Sequence, residues 1–308
     1  MALLVVTAGA VLGAAAAPAS ASSTGVADRS LSRVVCTSAK AGLADRLTKD
    51  IRAAVADTGA KSHTSVALYD RTTGTQCTYD ADRQYDSASV VKTIVLGTLL
   101  RQAQDENREL TSTQRALATK MITKSDNDAT TALWKQLGLG RIKAFLRLAG
   151  MKHTAPDEKG YWGLTQVNAT DQLTLMKLFT SNNAVLNKHS RAIALDLMSR
   201  VISSQRWGVS AGAPSGATVH LKNGWLQRTS SGWRVHSVGA FTGEGLDYGL
   251  AVLTADHGSM PTSVKAIESI ARKVHADLNG GSTHSHSVAR SRNVPTTSDG
   301  SLVPVHGQ

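Results

Sequence analysis

The order of strand-like and helix-like segments in this 308-residue chain predicts an α+β fold. It consists of an antiparallel sheet flanked by N- and C-terminal helices, with an all-helical lobe inserted between the strands. Three observations carry that expectation. Alternating, β-branched segments occur near both ends of the chain, the long interval between them reads as helix after helix, and an amphipathic or apolar helical segment stands outside each group of strands.

The elements follow in order. Residues 1–21 stand apart: residues 2–17 are almost wholly apolar, and Ala19-Ser20-Ala21 fits the small-residue pattern of a signal peptidase site, which predicts export. The apolar run is shorter than the roughly 20 residues a spanning helix needs, although the first basic residue, Arg29, comes after it rather than before. Residues 22–40, rich in Ser and Ala, read as an extended leader. From 41 to 57, Leu43, Leu47, Ile51 and Val55 recur at intervals of four, an amphipathic helix. Residues 64–69 alternate, 71–74 make a turn, and 76–79 return as a hairpin partner. Helical periodicity then runs from Ser89 to about Ser210, in segments 90–100, 114–123, 129–137, 141–148, 171–179 and 192–202. Beyond the Gly- and Pro-containing turn at 212–216 the pattern reverts to strands, including 233–241 and 248–254, and closes on a helix over 263–279. One domain over 41–279 follows, with a sheet lobe from 41–88 and 215–279 and a helical lobe from 89–214. Residues 280–308 have no apolar period and read as a disordered tail.

Composition narrows the partners. A hydrophobic content of 41% suffices for a sizeable core, and the net charge of +11 draws an exported protein towards anionic wall polymers or simply gives a solvated basic surface. Nucleic acid is not expected, because aromatic residues are only 4% and no basic stretch is interleaved with them. Cys36 and Cys77 are the two cysteines; an oxidising compartment would join them, and two free thiols are the alternative. The histidines are scattered, His284 and His286 of the tail included, so neither a metal nor a cofactor is expected.

Three short elements carry chemistry: SVVK at 89–92, SDN at 125–127 and KNG at 222–224. Singly they are weak, since SxxK arises by chance, Ser and Asp before a helix are commonly caps, and KNG reads as a turn. Together and in this order they supply a hydroxyl nucleophile with an amine one helical turn away, a second hydroxyl with an amide, and a cation beside a glycine. Acyl transfer through serine needs such a set: a positioned base for the weak nucleophile, and fixed donors where the oxyanion develops.

With those motifs in place, the chain resembles the class A β-lactamase-type serine hydrolases within the penicillin-recognising enzymes. The resemblance covers roughly residues 41–279. MITKSDNDATTALW is similar to the family helix bearing the second serine, GRIKAFLRLAGM to the helix after it, and 170–178 to the helix after the active-site loop. It implies a β-lactamase/transpeptidase-like fold and an acyl-enzyme on Ser89, with Lys92 as base or electrostatic aid. Ser125 would relay a proton to the leaving nitrogen, Asn127 would orient Lys92 and bind a substrate amide, and Lys222 would attract a substrate carboxylate. Gly224 shares the Lys222 face, and the backbone N–H groups of Ser89 and Trp225 would form the oxyanion hole.

Departures from the family pattern matter as much. KNG replaces the common KTG, with Asn223 expected on the opposite face from Lys222. Trp225 is bulkier than the usual small residue and would narrow the cleft or offer a stacking surface. The interval from Lys92 to Ser125 is short, implying a trimmed helical lobe. The loop that normally carries a deacylating Glu reads TAPDEKGYWGLTQVNATD, where Glu158 or Asp157 would have to substitute and Gln166 cannot act as a base. The expectation is a secreted, monomeric serine hydrolase acting on a β-lactam with slow deacylation. A D-alanyl-D-alanine peptidase acting on peptidoglycan peptides, or a non-catalytic penicillin- or wall-binding protein, is the alternative.

Overall fold

A computed structural model describes residues 1–3, 33–58, 62–228, 232–280, 295 and 297–300. Residues 1–31 form a separate unit, and the expected signal peptide beyond residue 3 and the leader up to residue 32 lie outside the described residues. The second unit opens with β1 (Val35–Thr37), α1 (Leu43–Ala56), β2 (His63–Asp70), β3 (Thr75–Tyr79) and β4 (Tyr85–Asp86). The helical part holds α2 (Val91–Asp105), α3 (Ser112–Thr123), α4 (Asn127–Leu148), β5 (Gln166–Val167), α5 (Ala169–Thr180) and α6 (Lys188–Ser199). The chain then returns through β6 (Thr218–Arg228), β7 (Gly232–Gly243), β8 (Leu246–Ala255) and α7 (Met260–Leu278).

The strands form a six-stranded sheet in the order β1-β3-β2-β8-β7-β6, antiparallel throughout. Its two halves, far apart in sequence, meet where β2 pairs β8, from His63 opposite Ala255 to Asp70 opposite Tyr248. Alternation along these strands builds two cores. Val66, Leu68, Leu250 and Val252 face α1 and α7, where they meet Leu43, Leu47, Ile51, Ile267, Ile270 and Val274. Ala67, Tyr69, Ala251 and Leu253 face the helical lobe. Each fully buried Leu or Ile there contributes about 1.5–3 kcal/mol. The fourth periodic residue of α1, Val55, is only partly buried and Ala54 takes the core position, because a strict interval of four drifts about 40° per step from the helical period.

Inside the helical lobe, α2 is buried all round from Val91 to Leu100, which suits a helix surrounded by others. Gly138, at φ 72 and ψ 153, breaks α4 between the two periodic runs seen in the sequence. Two features are new: β1 lies within the stretch read as leader, and β4 pairs β5 in a small second sheet. β1 brings Cys36 opposite Cys77 on β3, and the two are disulfide-bonded.

Candidate active site

Between β4 and α2 the chain makes a 3₁₀ turn, Ala88–Val90. Ser89 therefore sits in a turn just ahead of the long helix rather than being its first residue. Ala88 adopts φ 45, a conformation costing a non-glycine residue about 1–3 kcal/mol and held only where the surroundings impose it. Ser87 imposes it here: its N–H donates to the Thr165 carbonyl at 2.9 Å, and its hydroxyl reaches the carbonyls of Trp162 and Gly163 at 3.4 and 3.3 Å.

One turn on, Lys92 Nζ lies 2.7 Å from Ser89 Oγ, 2.7 Å from the Ser125 carbonyl, 3.1 Å from Ser125 Oγ and 2.7 Å from Asn127 Oδ1. It also stands 5.0 Å from the Trp162 ring centroid. The lysine is fully buried, and burial pushes its pKa down to about 8 against the opposing fields of Asp299 and Asp126. The Ser125 carbonyl and Asn127 Oδ1 accept only, so they take two N–H bonds and leave the third direction to the two hydroxyls, Ser89 at 2.7 Å and Ser125 at 3.1 Å. When Lys92 is neutral, its lone pair can accept from the nearer of them, Ser89.

The SDN segment divides its labour between cap and site. Asp126 is the N-cap of α4, its side chain accepting from the Ala129 N–H, so the capping reading of this motif holds for one residue of three. Ser125 precedes the cap at φ 59, and its hydroxyl lies between two amines, 3.1 Å from Lys92 Nζ and 2.9 Å from Lys222 Nζ.

Strand β6 closes the site from the other side. Lys222 is fully buried and also donates to the Asn223 carbonyl at 2.7 Å. Burial, then repulsion from Lys92, pushes its pKa well below the usual lysine value, with Asp299 opposing. Gly224, on the same face, lies directly against the Ser89 and Val90 backbone. Asn223 points the other way, its amide donating to the carbonyls of Gln205 and Trp207, as strand alternation requires.

The same alternation corrects the reading of Trp225. Its ring packs edge-on against Trp207 with centroids 5.7 Å apart, in the core on the α1/α7 side of the sheet, so it neither narrows the cleft nor offers it a stacking face. Its backbone is what reaches the site. The Trp225 carbonyl accepts from the Asp299 N–H at 3.2 Å, and since a strand residue's N–H and C=O project to one side, its N–H also faces the cleft.

Glu158 is a second correction. Its side chain is 80% exposed and paired with Lys143 at 3.2 Å, with no contact to Ser89, Lys92 or Ser125. Asp157 accepts from the Lys159 and Tyr161 N–H groups within its own loop, and Gln166 donates to Asp86 and the Leu164 carbonyl. The loop residues that do adjoin the Ser89 turn are Trp162, Gly163 and Thr165, with half-buried Leu164 among them. None of them bears a carboxylate.

The tail differs from the expectation only at residues 297–300, since 281–294, 296 and 301–308 lie outside the described residues. Asp299 lies at the site: its carbonyl accepts from Asn127 Nδ2 at 2.7 Å. Polar, aperiodic TTSDG offers no signal for this. Trp162 was missed as well, although a tryptophan within the expected active-site loop marks it out.

A fold of this topology, with a buried Ser-Lys-Ser-Lys array at the junction of its two lobes, defines a penicillin-recognising type of serine protein. A family model described as the beta-lactamase enzyme family matches residues 46–115 and 107–278. The chain belongs to that family. Among solved structures it is similar to PBP-A (TM-score 0.67, 18% identity, covering 77% of this chain and 96% of that one). It is similar too to the TLA-1 extended-spectrum β-lactamase (TM-score 0.67, 17% identity, 76% and 98%) and to a class A β-lactamase from Bacteroides cellulosilyticus (TM-score 0.66, 16% identity, 77% and 98%). At these identities the likeness is one of fold. Curated relatives from Mycobacterium tuberculosis and Mycobacterium bovis, each named "Putative lipoprotein LppW", are 26% identical over 182 residues. The match spans 57% of this chain and 58% of theirs.

Proposed function

We propose that this protein is an exported serine hydrolase that opens β-lactams through an acyl-enzyme on Ser89 and releases the product slowly. The observation that carries the reading is the 2.7 Å approach of Lys92 Nζ to Ser89 Oγ, with Ser125 bridging to Lys222. Neutral Lys92 takes the Ser89 proton as Oγ bonds to the lactam carbonyl carbon. The oxyanion is met by the Ser89 and Trp225 N–H groups. As the C–N bond breaks, the proton passes from Lys92 through the Ser125 hydroxyl to the departing nitrogen. Lys222, on the far side of Ser125, serves the substrate carboxylate. Water must then attack the ester, and none of the described loop residues that adjoin the Ser89 turn, 162–165, bears a carboxylate to activate it, so the adduct persists.

One solved structure of similar fold supports the acylation half. A leucine-to-glutamate variant of PBP-A forms an acyl-enzyme complex with penicillin G. In this chain Leu164 occupies the loop turn next to Ser87. Export is supported by the apolar, Ala-x-Ala-terminated N-terminus and by the lipoprotein name of the mycobacterial relatives; the sulfur of Cys36 is committed to Cys77 and carries no lipid. The deciding experiment is incubation with a fluorescent penicillin followed by intact-mass measurement. A persistent adduct of one penicillin, absent in Ser89→Ala, is expected. Neither adduct nor hydrolysis would favour a non-catalytic wall-binding protein.

A further inference from the structure

Strand β6 is an outer strand of the sheet, and residues 297–300 lie along its free side. Three hydrogen bonds hold them. The Asp299 N–H donates to the Trp225 carbonyl at 3.2 Å, the Trp225 indole N–H donates to the Thr297 carbonyl at 3.0 Å, and the Asn127 amide donates to the Asp299 carbonyl at 2.7 Å. Gly300 follows at φ 73, where a Cβ would stand 3.0 Å from Asn127 Nδ2. Glycine suits both that backbone and that approach.

Charge agrees with the hydrogen bonding. The Asp299 carboxylate acts on both buried lysines, opposing the loss of their protons, so an acidic residue has come to rest beside the two amines. Beneath it, Ser89 is 0% exposed and Ser125 is 8% exposed. The Asn127 amide, expected from the sequence to bind a substrate amide, and the carbonyl of Trp225 are thus already engaged by the chain itself.

We propose that residues 297–300 are an internal ligand of the Ser89 cleft, docked against the edge of β6 at Trp225, and that they exclude external ligands until released. One backbone bond, Asp299 N–H to the Trp225 carbonyl, is of the kind used in strand addition; the Trp225 indole and the Asn127 amide supply the other two, and the Asp299 side chain supplies selectivity. The segment brings no apolar anchor, so its affinity as a free peptide is low. Tethering raises its effective concentration to the order of millimolar, which keeps it seated yet displaceable. The site so defined accepts an extended peptide bearing a carboxylate.

The inference rests on the proposed function only for what is excluded, and two measurements separate them. Hydrogen–deuterium exchange on the full chain reads the docking itself. The Asp299 amide should be protected in the unaltered chain and lose that protection in Gly300→Val, which crowds Asn127. Fluorescent-penicillin labelling then reads exclusion: Asp299→Pro, which lacks the donated N–H, and Gly300→Val should each label faster than the unaltered chain, by about tenfold where a tether of about 1 mM effective concentration acts on a segment of about 0.1 mM affinity. Exchange of the 297–300 peptide at the rate of unstructured chain would overturn the proposal. So would protection accompanied by equal labelling rates. Protection with no labelling in any chain would support the docked segment and count instead against acyl transfer.

Discussion

Gly224 backs onto Ser89 so closely that a Cβ at position 224 would stand 2.6 Å from the Ser89 nitrogen and 2.8 Å from that of Val90. Both obstacles are backbone, so neither can swing aside as a side chain would. Gly224→Ala must therefore push β6 away from the turn that carries Ser89, widening the distance between the two N–H groups proposed to hold the oxyanion. A shift of that kind costs on the order of 10²-fold in rate. Penicillin labelling of Gly224→Ala should fall by about that factor while the far-ultraviolet spectrum is unchanged; labelling at the unaltered rate would remove Gly224 and the Trp225 N–H from the site.

The Lys92 pKa, pushed down to about 8, sets the direction of the pH dependence. Below that value the amine is protonated and cannot accept the Ser89 proton; above it the lone pair is available. Acylation should rise with pH and level off beyond about 8, and Lys92→Ala should slow it by about 10²- to 10⁴-fold on that plateau, the difference narrowing as pH falls below about 8. A flat profile through that range would show that Lys92 acts only through its charge. Because Asp299 opposes the depression, Asp299→Asn should move the midpoint to lower pH.

Deacylation offers a gain-of-function test. Leu164 stands in the turn Trp162–Leu164, whose neighbours hold Ser87. Leu164→Glu places a carboxylate in that turn, and a positioned general base contributes about 10²- to 10⁴-fold. The adduct lifetime, followed by mass spectrometry after excess penicillin is removed, should shorten markedly. An unchanged lifetime would mean that the turn does not face the acyl carbon.

Two buried histidines should make the fold acid-sensitive. His236 Nδ1 accepts from the Thr254 N–H while Nε2 reaches the Asp86 carbonyl, and His275 Nδ1 meets the Tyr248 hydroxyl while Nε2 reaches the Val209 carbonyl. His236 thus needs one acceptor and one donor nitrogen, the neutral form, while at His275 the Tyr248 hydroxyl suits the neutral ring by donating to it. Burial pushes both pKa values down to about 4 from 6.5. Below about pH 6.5 the unfolded chain takes up protons that the folded chain refuses, so stability is complete above that pH and falls as pH drops towards 4, by roughly 3 kcal/mol for each ring. Urea unfolding at pH 7.5 and 4.5 measures it, and equal midpoints would contradict the argument.

Much of this was legible in the residues, and the boundary is physical. Ser89 with Lys92, and Lys222 with Gly224, are placed together by helix and strand periods that act over a few residues, so their motifs foretell their geometry. The β2–β8 pairing and the two-lobed order follow from strands at both ends of the chain. Trp225 misled because its size suggested a role in the cleft, whereas strand alternation, applied to Asn223, already sent odd-numbered residues of that strand to the other face. Glu158 misled because composition alone nominated it: a surface ion pair with Lys143 satisfies it where it stands. Asp299 could not be foreseen, since three hydrogen bonds made by a polar segment to residues 72, 74 and 172 positions away leave no periodic trace.

The disulfide and the docked segment lie at opposite margins of the same sheet. At one margin, β1 is only three residues long and is stitched to β3 by Cys36 and Cys77; at the other, β6 runs for 11 residues and has residues 297–300 along it. Unpaired strand margins are where sheets of separate molecules join, and short, capped margins resist this. The molecule therefore guards against sticking to its own copies covalently on one flank and reversibly on the other. A condition that frees residues 297–300 would bare the Trp225 stretch of the longer flank and the Ser89 cleft together, so edge protection and access to Ser89 would depend on the same few residues.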